Sequence, residues 1–288
     1  MKNLILRSIS GALYVALLVG SLLMGPVYFC ALCLVFGVIG VVEFRKLMSK
    51  GTEVNVGSLA ADVFAIICLT TLPAWQQNPY IGIGGLTMIT MLIFAFYLLV
   101  RFIIGIYSSS PAAVSDTATS VFGVMYIGLG LLAAELIGNY STHLVLLLFI
   151  FIWVNDTGAF LVGSAIGKHK LFERLSPKKS WEGFFGGLVL VYAVSMLLGY
   201  TGLTAKMLGQ MAFFGVGPYQ IVYILPAVAV VFSTWGDLFE SMIKRSVGAK
   251  DSGTLIPGHG GLLDRIDSML FVMPAAAITI IVIVLLHA

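Results

Sequence analysis

Residues 141–164 read "STHLVLLLFIFIWVNDTGAFLVGS", and this stretch decides the fold class. Its one formally charged residue is Asp156. A helix needs about 20 mostly apolar residues to cross a hydrocarbon core about 30 Å thick, so the stretch predicts a membrane-spanning helix. The whole chain agrees, because 59% of its residues are hydrophobic and its mean hydropathy is +1.04. Values of this kind are typical of a protein whose solvent is lipid.

The same criterion finds further hydrophobic segments on both sides of this stretch. Together they predict an all-α, polytopic integral membrane protein with about nine transmembrane helices, N-in and C-out. The third segment is short and carries Asp62, so it is the weakest of the nine. The predicted segments are about 4–24, 26–48, 56–73, 81–104, 117–138, 141–164, 180–200, 219–242 and 268–287.

The distribution of Lys and Arg residues predicts the orientation of the chain in the membrane. With nine spans and a cytoplasmic N-terminus, fifteen of the 16 Lys and Arg residues fall on the inner side, and only Lys206 falls outside. Cytoplasmic loops of membrane proteins carry the excess of Lys and Arg, which is why we expect this topology. The same rule accounts for the net charge of +3, so no nucleic-acid partner is needed to explain it.

The polar residues divide the chain into two unequal halves. We predict that residues 1–140 form N-terminal transmembrane helices that serve as a lipid-facing scaffold. We predict that residues 141–288 form a C-terminal transmembrane catalytic region. In the first half, Glu43, Asp62 and Glu135 are acids within or near spans. Such acids are candidate functional residues. None of the three belongs to a recognisable motif, so we favour pairing or an interfacial position for each.

Polar clusters of the second half converge on one layer under this topology. They are "WVNDTGAF" at 153–160, "LSPKKSWEGFFGG" at 175–187 and "GDLFESMIKR" at 236–245. A glycine-rich stretch follows, and seven of the chain's 16 basic and 13 acidic residues lie within 244–267. All of these fall at the cytoplasmic edge of the bilayer. Scattered positions that converge on one layer predict a functional site there.

The cluster at 236–245 predicts one polar helical face. Asp237, Glu240, Ser241 and Lys244 are spaced i, i+3, i+4 and i+7, so their side chains share that face. An ion pair between Glu240 and Lys244 is the structural alternative to a functional role. It explains Asp237 less well, because this carboxylate is placed deeper and has no obvious local partner. A carboxylate at that depth is costly unless it holds a cation or faces water.

The acidic pair of "DRID" at 264–267 points to a divalent cation. Asp264 and Asp267 lie three residues apart on one helical face, and Arg265 points elsewhere. Carboxylate oxygens are the hard ligands that Mg²⁺ prefers, with water and substrate phosphate completing its coordination. Structural salt bridging is an equally good interpretation of this pair taken alone.

Two further motifs predict anion binding. The glycines of "PGHGG" at 257–261 let backbone N–H groups form a concave nest around an anion, and His259 could donate to a phosphate. In "SPKKS" at 176–180, Lys178 and Lys179 supply charge, and Ser180 predicts the cap of a helix beginning at Trp181. Contact of this basic loop with anionic lipid head groups is the alternative interpretation.

The stretch "SMIKRSVGAKDSGTLIPGHGGLLDRID" at 241–267 resembles the signature of phosphatidate cytidylyltransferases, also called CDP-diacylglycerol synthases. The pattern is Ser, then Lys-Arg, Lys-Asp, His-Gly-Gly and a terminal Asp-Arg-x-Asp. "NDTGAF" and "SPKKSWEG" also look like features of this family. The resemblance covers roughly residues 150–270. It implies the reaction of CTP with phosphatidic acid, at a lipid bilayer, to give CDP-diacylglycerol and pyrophosphate, and it implies dependence on Mg²⁺.

The resemblance and the residue chemistry together give a hypothesis for the roles of individual residues. We expect the metal at Asp237 and Asp264, with Asp267 and Asp251 next and with Asp156 as an indirect or second-cation ligand. We expect phosphate contacts and catalysis from the basic residues and substrate contacts from the small polar ones. These predicted residues are, for catalysis, Lys244, Arg245, Lys250, His259 and Arg265, and, for substrate binding, Ser176, Lys178, Lys179, Ser241, Gly260 and Gly261.

Other membrane proteins with buried acids are weaker interpretations. A CDP-alcohol phosphatidyltransferase should carry Asp-Gly-x-x-Ala-Arg, which this sequence lacks. A CTP-dependent polyprenol kinase would give a lipid phosphate and CDP. A cation-coupled transporter predicts inverted repeats and a site at the membrane midplane. A monovalent cation beside Mg²⁺ and a homodimer are open alternatives, and in a bacterium we expect the inner membrane, with the site facing the cytoplasm.

Overall fold

The structure is a computed structural model that describes residues 2–49, 54–75, 82–204, 217–256 and 260–287. Nearly all of these residues are helical. The helices are α1 (Lys2–Met24), α2 (Pro26–Met48), α3 (Val56–Thr71), α4 (Gly82–Ile106), α5 (Ala113–Tyr140), α6 (Thr142–Ile166), α7 (Trp181–Tyr200), α8 (Pro218–Tyr223), α9 (Leu225–Ser246) and α10 (Leu263–His287), with a 3₁₀ turn at Leu72–Trp75.

The described helices are those of a polytopic membrane protein. Seven of them are long and apolar enough to cross a membrane, and Ile9–Met24 and Val56–Thr71 are shorter apolar helices. Each of the nine predicted segments coincides with helical structure. The predicted segment at 219–242 is divided into α8 and α9, because Pro226 lacks the N–H that would continue a helix into it.

A proline and two side-chain caps explain where several helices begin. α2 starts at Pro26, whose fixed φ suits the first helical position. The Asn55 side chain accepts a hydrogen bond from Ser58 N at 3.0 Å and starts α3. Ser141 does the same for α6, accepting from Leu144 N at 3.2 Å. Each cap satisfies a backbone donor that would otherwise have no partner within the helix.

A short antiparallel hairpin joins α6 to α7. Its strands are β1 (Lys170–Phe172) and β2 (Ser176–Ser180), and Lys170 pairs with Ser180 across them. The sequence prediction treated 176–180 as a loop, so the hairpin is a small departure from a purely helical fold. Its position matters because β2 carries the predicted substrate-binding lysines and leads directly into the first turn of α7.

The chain packs as two compact units that alternate along the sequence. The first comprises Met1–Glu135 and Val247–Arg265, and the second comprises Leu136–Ser246 and Ile266–Ala288. The glycine-rich part of the signature therefore packs with the N-terminal helices. The functional division at residue 140 stays a prediction.

The first unit encloses a charged network among its helices. Arg45 of α2 contacts Asp62 of α3 at 3.2 Å and Asp116 of α5 at 2.6 Å. Arg101 of α4 contacts the same two carboxylates at 3.5 and 3.1 Å. Tyr97 donates to Asp62 at 2.9 Å. The predicted pairing of Asp62 is thereby confirmed, and four helices share one electrostatic connection.

Glycines let α6 and α7 approach closely within the second unit. A Cβ on Gly158 would lie 3.0 Å from the Gly187 backbone, and a Cβ on Gly187 would lie 2.3 Å from the Asn155 Oδ1 atom. A Cβ on Gly183 would meet the Ala159 carbonyl at 2.8 Å. Larger side chains at these positions would force the helices apart, so the glycines set the spacing of the elements that carry the candidate site.

The remaining long helices of the second unit, α9 and the part of α10 from residue 266 onwards, also pack through small residues. Ser268 Oγ on α10 donates to the Ser233 carbonyl of α9 at 3.2 Å. Gly236 lies against the backbone of Asp267 and Ser268, with an ideal Cβ only 2.9 Å from the Asp267 carbonyl. This contact brings α9 beside Asp267 of α10.

Candidate active site

A cavity of about 220 Å³ lies within the second unit, between α6, α9 and the hairpin with the start of α7. Asp156 and Asp237 line it together with Lys178 and Lys179, so four of the residues predicted from separate motifs surround one space. The complete lining is Asn155, Asp156, Ala159, Phe160, Leu171, Lys178, Lys179, Ser180, Gly183, Phe184, Thr234 and Asp237.

The hairpin presents its lysines to the cavity because Ser180 fixes the start of α7. The Ser180 side chain accepts a hydrogen bond from Gly183 N at 3.2 Å, which confirms the predicted cap. The cap places the start of α7 at the end of the hairpin, where the helix dipole favours negative charge, and Trp181 N there donates to the His169 carbonyl at 2.9 Å. Lys178 and Lys179 precede the cap by one or two residues. Basic side chains and a helix N-terminus are a suitable combination for a phosphate.

Lys179 forms an ion pair with Asp237. The Nζ and Oδ2 atoms are 2.7 Å apart, and Lys179 also donates to the Thr234 carbonyl at 3.4 Å. Ser241, one helical turn after Asp237, donates to its Oδ1 atom at 3.3 Å. The partner that sequence spacing did not reveal comes from the hairpin, 58 residues earlier in the chain. Both charged side chains are partly exposed, which leaves them accessible to a ligand.

Asp267 adds a further carboxylate to this region of the second unit. It experiences the negative charges of Asp237 and Asp156 and the positive charge of Lys244. Its Oδ1 atom accepts from the Ser268 N–H at 2.6 Å. The carboxylates of α6 and α9 therefore add negative charge around the Asp267 carboxylate of α10. A cation placed among them would offset this charge.

The donor set fits Mg²⁺ without forming a closed cage. In the ranges that the structure describes, no three His, Cys, Asp or Glu side chains are gathered tightly enough to hold a metal by themselves. Mg²⁺ commonly takes only one or two carboxylates and fills its other positions with water and substrate phosphate. Asp237 and Asp267, with Asp156 nearby, supply oxygen ligands of the right type.

Lys244 has a structural partner within its own helix. It forms an ion pair with Glu240, one turn earlier, and both side chains are buried. The alternative interpretation of this face is therefore correct for these two residues. The pair does not remove Lys244 from the site, because its charge still acts on Asp267.

The glycine-rich part of the signature forms a separate arrangement in the first unit. One oxygen of Asp264, Oδ2, accepts hydrogen bonds from Ser252 N at 2.9 Å, Ser252 Oγ at 2.9 Å and Gly261 N at 2.8 Å. The Gly261 N–H, which we predicted to face a phosphate, thus donates to a carboxylate in this conformation. The metal role of Asp264 and the phosphate role of Gly261 stay predictions.

Glu43 of α2 reaches the same arrangement from outside the signature. Its Oε2 atom accepts from the N–H of Leu263, the first residue of α10, at 3.0 Å. The sequence identified Glu43 only as an isolated acid near a span. Since 220 residues separate the two groups, no local pattern could have joined them.

The other predicted site residues differ in their exposure to solvent. Arg245, Lys250, Asp251 and Arg265 are exposed, as expected for groups that meet a soluble ligand. Ser176 is half-buried at the start of β2, and Gly260 has a φ of 85°, which suits glycine. His259 lies outside the described residues. The substrate contacts of all these residues stay predictions.

Comparison with known proteins agrees with the signature. The sequence profile of the Cytidylyltransferase family matches residues 5–283. A Staphylococcus aureus protein named phosphatidate cytidylyltransferase is 31% identical over 266 residues, which cover 85% of this chain and 96% of that protein. A Staphylococcus epidermidis protein of the same name is 31% identical over 230 residues, 79% of this chain and 80% of its own. A Staphylococcus saprophyticus protein, also so named, is 35% identical over 178 residues, 61% and 64% of the two chains. This chain therefore belongs to the cytidylyltransferase family.

Proposed function

We propose that this enzyme transfers the cytidylyl group of CTP to phosphatidic acid and releases pyrophosphate, giving CDP-diacylglycerol for phospholipid biosynthesis. The observation that carries the proposal is the cavity of the second unit, where Lys178 and Lys179 face Asp156 and Asp237 in a chain of this family. Cations for phosphates and carboxylates for a metal are the groups that nucleotidyl transfer requires.

The reaction needs alignment more than proton transfer. An oxygen of the lipid phosphate forms a new bond to the α-phosphorus of CTP, and the bond between that phosphorus and the bridging oxygen of pyrophosphate breaks. The attacking oxygen is already anionic near neutral pH, so a strong general base is not essential. Lys178 and Lys179 would neutralise phosphate charge and orient the reactants, which are the main sources of rate in this chemistry.

Asp237 and Asp267 would hold Mg²⁺, with Asp156 as an indirect or second-cation ligand. When bound, Mg²⁺ would neutralise charge on the transferred phosphorus and on the leaving pyrophosphate. The ion pair between Lys179 and Asp237 would hold both side chains in place before the substrates arrive. A monovalent cation beside Mg²⁺ is an alternative for the Asp156 side.

The proposed topology has nine spans, with the N-terminus and the site on the cytoplasmic side, where CTP is available. The distribution of Lys and Arg supports it. In a bacterial cell the membrane would be the inner one. A single cysteine placed at Glu173, an exposed residue between the hairpin strands, tests the orientation in a variant without the three native cysteines. A membrane-impermeant thiol reagent should label it only when the cytoplasmic face is open.

The activity is tested with CTP labelled at either the α- or the γ-phosphorus, in detergent micelles that contain phosphatidic acid. We expect the α label in a CDP-lipid and the γ label in pyrophosphate, with both products requiring Mg²⁺. A γ label in the lipid would instead identify a kinase. Light scattering on the same sample distinguishes a monomer from a homodimer.

Lys179→Met tests the role of the cavity, with Lys170→Met as the matched control. Lys170 belongs to the same hairpin, lies on the exposed strand β1 and is not part of the cavity lining. We expect Lys179→Met to lower kcat by about 100-fold, as for loss of one group that stabilises transition-state charge, and Lys170→Met to keep the activity. Equal activities of the two variants would contradict the placement of the site.

A further inference from the structure

Glu43 is a buried acid that the proposed chemistry does not use. It lies near the end of α2 and is only 9% exposed. Its Oε2 atom accepts from Leu263 N, whereas Oε1 has no hydrogen-bond partner among the described residues. A buried carboxylate is costly unless its environment compensates for lost hydration.

The glycines of the signature surround this carboxylate. An ideal Cβ on Gly253 would lie 2.8 Å from Glu43 Oε1, and one on Gly261 would lie 2.6 Å from Glu43 Oε2. The backbone of the loop therefore passes close to both Glu43 oxygens, and at Gly261 an ideal Cβ would also lie 2.8 Å from the Gly253 backbone nitrogen. Glu43 therefore contacts the loop before and after its turn, as well as the start of α10.

Asp264 holds the same loop from the other direction. Its Oδ2 atom binds Ser252 and Gly261, so the two ends of the loop are drawn together. A backbone hydrogen bond from Ile256 N to Gly260 O at 2.9 Å adds a further link between the two arms of the loop. Two carboxylates, Glu43 from α2 and Asp264 from α10, thus fix the loop that carries the predicted phosphate and metal ligands.

Open space lies beside part of this loop. A cavity of about 400 Å³ separates part of it from α2, and Glu43, Lys46, Ser252 and Leu255 are among its lining residues. A segment beside an open space can shift unless directed bonds restrain it. Loss of the Glu43 carboxylate would leave the first N–H of α10 without its acceptor and would open space beside Gly253.

We propose that Glu43 is a positioning residue for the reaction, which sets the signature loop (described at residues 251–256 and 260–262) and the first turn of α10 through its carboxylate. The negative charge at the helix start also complements the dipole of α10. The proposal rests on the proposed function only for its kinetic consequence. A misplacement of about 1 Å in a catalytic group can cost about 100-fold in rate, so a residue that does not touch substrate can control turnover.

The test compares Glu43→Ala with the conservative Glu43→Gln in purified protein in detergent. Glu43→Ala removes the acceptor and should lower kcat by about 10- to 100-fold. Glu43→Gln keeps an oxygen for Leu263 N, although the bond becomes neutral and about half as strong, so most of the loss should be rescued. The KM for phosphatidic acid should change by less than about threefold in both variants, because Glu43 itself is not among the residues proposed to contact substrate.

Hydrogen exchange gives a readout that does not depend on turnover. In Glu43→Ala, peptides covering 250–256 and 260–266 should exchange faster, and those from α6 and α7 should be unchanged. Glu135→Gln is the matched control, because Glu135 is a buried acid of the same unit that has no contact with the signature loop among the described contacts. It should change neither kcat nor exchange at 250–266.

Gly253→Ala provides a second variant if Glu43→Ala does not fold. Its added methyl group would displace Glu43 Oε1 from the loop side and should reproduce the loss of kcat. A kcat of Glu43→Ala within about twofold of wild type overturns the proposal. The proposal is also overturned if hydrogen exchange becomes faster throughout the chain and the activity falls only in proportion to the fraction of folded protein. An inactive wild type would refute the proposed function, and the exchange data would still decide the role of Glu43.

Discussion

The charged network of the first unit makes a strong prediction about stability. Asp62 is fully buried, and the side chains of Arg45 and Arg101 are 3% and 1% exposed. Asp116, which also contacts both arginines, is 45% exposed. Asp62→Asn would therefore leave two buried guanidinium groups that share a single carboxylate at the edge of the network.

The expected cost follows from the burial of these groups. Removal of one partner from a buried ion pair typically destabilises a protein by about 3–5 kcal/mol, because an uncompensated charge stays in the interior. Two hydrogen-bond donors to Asp62, Tyr97 and Ser120, add to the loss. We expect Asp62→Asn to lower the free energy of unfolding by this amount. Equilibrium unfolding in mixed micelles with increasing dodecyl sulphate, followed by circular dichroism, measures it.

A double variant separates charge balance from packing. Asp62→Asn combined with Arg101→Gln removes one charge of each sign and leaves Arg45 paired with Asp116. We expect the double variant to be more stable than Asp62→Asn alone, with a coupling energy of about 1–3 kcal/mol. The reasoning fails if Asp62→Asn costs less than about 1 kcal/mol, since a network screened by water would behave in that way.

Three further predictions concern the site and its support. Asp237→Asn removes the partner of Lys179 and should lower kcat by about 100-fold. It should also raise the Mg²⁺ concentration needed for half-maximal rate. An unchanged Mg²⁺ dependence of the rate would exclude Asp237 as a ligand. Asp264→Asn replaces charge-assisted hydrogen bonds by neutral ones and should destabilise the protein by about 1.5–3 kcal/mol. Near-normal turnover of the folded variant at limiting Mg²⁺ would show that Asp264 does not bind the metal. Gly187→Ala places a methyl group 2.3 Å from the Asn155 Oδ1 atom and should cost about 1–3 kcal/mol in unfolding experiments, whereas Gly20→Ala, with nothing within 4 Å, should be neutral or slightly stabilising.

Hydropathy predicted the helices well because lipid imposes a simple rule on composition. The predicted segment at 26–48 coincides with α2, Pro26–Met48, and that at 180–200 differs from α7 by one residue. The last segment was placed at 268–287, but α10 begins at Leu263. Its first turn carries "DRID", which is helical although it is not hydrophobic. Hydropathy detects the part of a helix that faces lipid and misses the charged turn that extends beyond it.

The candidate site was predictable in composition but not in its contacts. Helical spacing placed Asp237 and Lys244 on one face, and the pairing of Lys244 with Glu240 followed from the i, i+4 rule. The pairing of Asp237 with Lys179 depends on the hairpin, whose strands are three and five residues long. Strands this short leave no alternating pattern, and contacts between distant segments leave no trace in local spacing.

The bond between Glu43 and Leu263 has a consequence for the order of assembly during synthesis. It joins groups 220 residues apart, one near the end of the second helix and the other at the start of the last. Closure of so long a loop must wait until the chain has been made through α10 and this helix has inserted. The signature loop would thus gain this restraint only in a completed chain. A prematurely terminated product could insert its early helices in the membrane and still be unable to arrange the groups for turnover.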